Sequence, residues 1–80
     1  MDLTRKENRA RVARRMVELR QLYNKTQQEC ADALGIGQSS YSEMEAGQLR
    51  IRRRDLVTLA VFYGLSLEEA FPAEGLDRAA

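Results

Sequence analysis

The sequence predicts an all-α fold of five helices and no sheet, and three observations carry that prediction. Apolar residues recur at spacings of three and four, the period of one helix face. Three segments, Thr4–Glu7, Thr26–Glu29 and Ser66–Glu69, place a hydroxyl residue three positions before a glutamate, the capping-box pattern that opens a helix. Residues that end helices stand where the periodic runs stop: Asn24, Gly35, Gly64 and the single proline, Pro72. Eighty residues make one small domain (1–80) with one compact core, burying roughly 60–65% of the unfolded surface and leaving no room for an internal catalytic cavity. A hydrophobic content of 44% fits a globular helical domain rather than a disordered chain.

The first helix is expected from the Thr4 capping box, with an apolar stripe of Val12, Met16, Leu19 and Tyr23. Before Val12 only Ala10 is apolar, so residues 1–10 read as a basic extension that projects or frays. Such a segment suits a solvated face or an arm along phosphates equally well. Asn24 tolerates the left-handed conformation and closes the helix. Thr26 then caps a second helix whose inner face is Cys30, Ala31 and Leu34. Gly35-Ile36-Gly37 breaks the pattern, and a third helix starts near Gln38 with Tyr41, Met44 and part of Glu45 inward. Two short helices joined by a tight turn over 27–46, with the small Ala31 where they cross, form a helix-turn-helix. Leu49 and Ile51 alternate with arginines into a fourth helix over 53–63. Its buried face is Leu56, Leu59, Ala60 and Tyr63. Ser66 opens a short fifth helix that stops at Phe71-Pro72, and 73–80 reads as a tail.

Net charge is only +1, but its distribution is uneven. Residues 1–25 hold eight Lys/Arg against three acids, and 26–49 hold four acids and no Lys or Arg. Arg50, Arg52, Arg53 and Arg54 follow within five residues, and from Asp55 onward one arginine faces five acids. Positive charge therefore flanks the helix-turn-helix on both sides, an electrostatic footprint for a polyanion. Arg52, Arg53 and Arg54 crowd a helix start, where each exposed cation is unfavourable by about 0.3–1 kcal/mol. Asp55 offsets part of that, and an anionic partner would explain the rest.

The order Thr-Gln-x-Glu-apolar-Ala-x-x-Leu-Gly-Ile-x-Gln-Ser-x-apolar-Ser-x-apolar-Glu-x-Gly, over Thr26 to Gly47, resembles the DNA-binding domains of lambdoid phage repressors and Cro proteins. That family includes restriction–modification controller proteins and many small bacterial regulators. The likeness spans roughly residues 12–71. It implies a compact five-helix, lambda-repressor-like DNA-binding domain, acting as a homodimer on a palindromic operator in double-stranded DNA. By the same resemblance, the amino-terminal end of the third helix enters the major groove. Gln38, Ser39, Ser42 and Glu43 would then touch base edges. Gln pairs with adenine, Ser with any base, and Glu accepts from cytosine N4. Gln27 matches the family position that contacts a phosphate and braces the residue at Gln38. Arg50, Arg52 and Arg53 lie where the family's loop follows the phosphate backbone. Arg20 and Glu45 match an internal ion pair. Phe62, Leu67, Phe71 and Leu76, apolar beyond the needs of so small a core, are the expected dimer surface.

Other classes fare worse. With no histidine, no tryptophan and no carboxylates paired at a pocket, the inventory argues against an enzyme, and no cofactor or metal is expected. The single cysteine excludes an intramolecular disulfide and sits on an apolar face as a packed thiol. Neither a membrane-spanning run nor a signal-peptide core is present, so a cytoplasmic protein is expected. The length suits a stand-alone controller or Cro-like protein. One alternative stays open: a helix-turn-helix used to bind a protein partner, as an antitoxin or antirepressor would, because the motif helices are acidic.

Overall fold

A computed structural model describes the backbone of residues 6–72 and the side chains of 8–72. Five helices follow in order: α1 (Lys6–Leu22), α2 (Gln27–Leu34), α3 (Gln38–Glu45), α4 (Arg53–Phe62) and α5 (Leu67–Ala70), and the described residues contain no strand. The Thr4 capping box and the tail at 73–80 lie outside the described residues.

Local chemistry accounts for the boundaries. Thr26 Oγ1 accepts from Glu29 N at 3.0 Å while Thr26 N donates to Glu29 Oε1 at 2.9 Å, so two orphan amides are satisfied reciprocally. Ser66 and Glu69 repeat the arrangement at the start of α5. In both boxes the accepted hydrogen bonds hold the glutamate below its ordinary pKa, since they favour the charged form. Asn24 adopts φ 55 and lets the chain leave α1; Gly35 adopts φ 70 after α2, where a side chain would be strained.

One cluster of buried side chains joins all five helices. Val12, Ala13, Met16 and Leu19 of α1 meet Cys30 and Ala31 of α2, Tyr41 and Met44 of α3, Leu56, Leu59 and Ala60 of α4, and Ala70 of α5; Ile51 and Phe71 enter from connecting segments. Cys30 is fully buried, with its Sγ 3.1 Å from the Tyr63 hydroxyl, as expected of a packed thiol. Tyr23 closes the end of the core by stacking on Tyr63, with ring centroids 5.1 Å apart.

Two expectations are corrected by the packing. The start of α1 does not project from residue 8 onward: Asn8, Val12 and Ala13 are buried, and the helix packs as a continuous rod. Phe71, expected on a dimer surface, is 2% exposed, because the chain turns inward after α5 and the ring completes the monomer's own core. Phe62 and Leu67 are half-buried against that core, and Leu76 lies outside the described residues. Among the described residues, the large apolar side chains left outside are instead Leu22, Tyr23, Leu49, Val57 and Val61.

Candidate nucleic-acid interface

Tyr41 and Met44 sink into the core and thereby decide which face of α3 looks outward. That face carries Gln38, Ser39, Glu43 and Ala46, all exposed, with Ser42 half-buried at its edge. Gly37 is the N-cap and offers no side-chain acceptor, so the first amides of α3 are left without a side-chain partner. The result is a short helix whose outward face is polar apart from Ala46, with Tyr41 and Met44 turned into the core.

Its carboxy-terminal end is anchored by charge. Arg20 Nε donates to Glu45 Oε2 at 2.6 Å and Arg20 Nη2 to Glu45 Oε1 at 3.1 Å, a two-pronged pair linking α1 to α3. Arg20 Nη1 also reaches Lys25 O at 3.4 Å. The Glu45 side chain is only 6% exposed and that of Arg20 19%. Burial pushes the Glu45 carboxyl up, but hydrogen bonds from Arg20, then Gln27, hold it below its ordinary value. Arg20 is raised in turn, chiefly by its hydrogen bond to Glu45. Beside them the Tyr41 hydroxyl is buried without a well-formed hydrogen bond, and desolvation raises its pKa.

Gln27 belongs to this network. Its Nε2 donates to Glu45 Oε1 at 3.0 Å, which ties the first turn of α2 to the last turn of α3. In this structure the Gln27 amide is hydrogen-bonded to Glu45 rather than to Gln38. The Glu45 carboxylate is a charged and therefore stronger acceptor, and it lies at the opposite end of α3 from Gln38.

Arg50, Arg52, Arg53 and Arg54 are all exposed, and among the described residues none of the four guanidiniums has an ion-pair partner. Asp55 forms no ion pair with them; its Oδ2 accepts from Arg52 N at 2.9 Å as the cap of α4. The strip runs beside α3: Arg50, Arg52 and Arg54 share one groove with Ser40 and Met44. A polar helix with an unneutralised cationic margin can present hydrogen-bonding side chains to base edges while guanidiniums meet phosphates.

One tie has no signal in the sequence. Arg15, part of the basic amino-terminal block, donates Nε to Ala70 O at 2.7 Å and so joins α1 to the end of α5. The partner is a backbone carbonyl 55 residues away, which no motif or spacing announces. Among the described residues, no three His, Cys, Asp or Glu side chains converge as a metal would require, and no helix is long and apolar enough to cross a membrane.

A helix-turn-helix family model matches residues 16–69, from the middle of α1 to α5 and across the whole motif. The chain belongs to the helix-turn-helix family. Membership places it with DNA-binding regulators of the Cro and repressor type. No curated protein and no solved structure matched it. In this helix-turn-helix protein α1 starts ten residues before the matched region.

Proposed function

We propose that this helix-turn-helix protein is a transcriptional regulator that reads a palindromic operator in double-stranded DNA as a homodimer, in the cytoplasm. One observation carries the reading: α3 turns a polar face outward, and the loop and helix start that follow it expose four guanidiniums with no ion-pair partner among the described residues, three of which share a groove with Ser40 and Met44 of α3. Gln38, Ser39, Ser42 and Glu43 are the base-reading side chains. Arg50, Arg52 and Arg53 meet phosphates. Gln27 supports the site from behind through Glu45, and its second Nε2 hydrogen can donate to a phosphate. A single α3 spans only a few base pairs, which is the reason for a second copy. The apolar side chains left exposed for that contact are Val57 and Val61 on α4, and Leu22.

Selection of bound duplexes from a random pool, followed by sedimentation with the selected site, tests this. The expected result is an inverted repeat with half-sites about 34 Å apart, bound by two chains. Failure to enrich any sequence, or a monomer at tens of micromolar with and without the site, refutes it. The alternative, a fold that serves protein binding, is favoured by one feature: Arg50, Arg52 and Arg54 line one groove together with apolar side chains.

A further inference from the structure

Between the α2–α3 turn and the α3–α4 connection runs a half-open groove of about 430 Å³. Its lining combines the apolar Leu34, Ile36, Met44 and Leu49 with the cationic Arg50, Arg52 and Arg54. Leu49 is 38% exposed, and Leu34 and Ile36 are only half-buried. The guanidiniums have no ion-pair partner among the described residues, and the single acid of the groove, Asp55, is engaged as the cap of α4. An occupant that satisfies the whole lining therefore carries apolar and anionic groups together. A DNA backbone meets only half of that description: phosphates match the arginines, and the apolar side chains gain little from them. An acidic polypeptide with one large apolar side chain meets both halves, since the side chain buries apolar area while flanking carboxylates pair with arginines.

We propose that this groove receives an acidic polypeptide segment carrying a single large apolar anchor, and that its occupancy excludes DNA. The groove's ligand follows from its own lining; the exclusion of DNA rests on the regulator reading, because Arg50 and Arg52 are needed by both. Such a partner would relieve regulation by taking the phosphate contacts away.

The test uses the 80-residue chain and two labelled synthetic peptides, one with phenylalanine between two runs of three glutamates and one with serine in its place. Fluorescence anisotropy should show the phenylalanine peptide binding about 10-fold more tightly or better. Leu49→Ser should remove that preference while leaving serine-peptide affinity unchanged, and Arg54→Ala should weaken both. Leu49 is partly exposed in a connecting segment, and circular dichroism melting verifies that the variants remain folded. Equal affinity of the two peptides, or a preference that survives Leu49→Ser, overturns the site and leaves only a charged strip. A labelled random-sequence duplex of about three helical turns, bound at low salt, supplies the second arm. Its release by the phenylalanine peptide but not by equal serine peptide supports exclusion, and a ternary complex overturns it. If no duplex binds at any salt while the phenylalanine preference holds, the regulator reading and the exclusion fall together and the peptide site stands.

Discussion

Replacing Arg20 by Ala is the most informative perturbation of this fold. It deletes both hydrogen bonds to a carboxylate that is 6% exposed, leaving Glu45 with the Gln27 amide at 3.0 Å. Stranding one partner of a substantially buried pair is unfavourable by about 3–5 kcal/mol. An 80-residue domain has roughly 4–12 kcal/mol of stability in all. At about 4–8 °C per kcal/mol for this size, the melting temperature should fall by on the order of 12–40 °C. Glu45→Ala should be milder, because the stranded guanidinium is 19% exposed, can reach water, and keeps Lys25 O at 3.4 Å. Acid provides a second readout. In the parent, the folded Glu45 carboxyl lies below its ordinary value of about 4.3, so its stabilisation is complete above that pH and is lost as pH falls through the folded value. In Arg20→Ala, burial remains without its main counterweight and raises the carboxyl, so protonation relieves the variant. The difference between parent and variant should therefore shrink from pH 7 to pH 4. Thermal melts by circular dichroism at both pH values measure it. Two single variants melting within about 2 °C of the parent, or a pH-independent gap, would refute the reasoning.

The remaining predictions concern the proposed DNA-facing surface and the caps. Arg50→Ala and Arg53→Ala should weaken binding to all duplexes alike and lower the slope of log affinity against log salt by about one for each phosphate no longer neutralised, read from titrations at several salt concentrations. Glu43→Ala should relax discrimination at one base pair by about 1–3 kcal/mol while tightening non-specific binding, since an exposed carboxylate beside phosphates is removed. Gln38→Ala should lose a similar amount at a different base pair without that non-specific gain; competition assays against single-base variants of the selected site distinguish the two. Thr26→Ala removes one arm of the capping box on α2 and should destabilise by about 1 kcal/mol, seen as a lower urea midpoint with unchanged slope.

Sequence alone determined what depends on residues a few positions apart. Thr26 with Glu29, Ser66 with Glu69, Asn24 and Gly35 mark boundaries through bonds and dihedrals confined to one turn of chain, and the spacing of Tyr41 and Met44 orients α3 by helix geometry. The arginine run is visible for the same reason, as four cations within five residues. Arg20 with Glu45 is legible through the family resemblance, although 25 residues separate them. Tertiary structure decided what the long-range partners are. Phe71 reads as a surplus apolar residue, but the turn after α5 carries it into the core. The resemblance points Gln27 at Gln38, but packing of α2 against α3 brings the Glu45 carboxylate to its amide. Arg15 is one more solvated cation until α5 sets a carbonyl against it. The groove under the arginines exists only because the α2–α3 turn and the α3–α4 connection meet in space. Hydropathy reports that a side chain prefers burial or a cation an anion; which neighbour answers that preference is settled by how the helices cross.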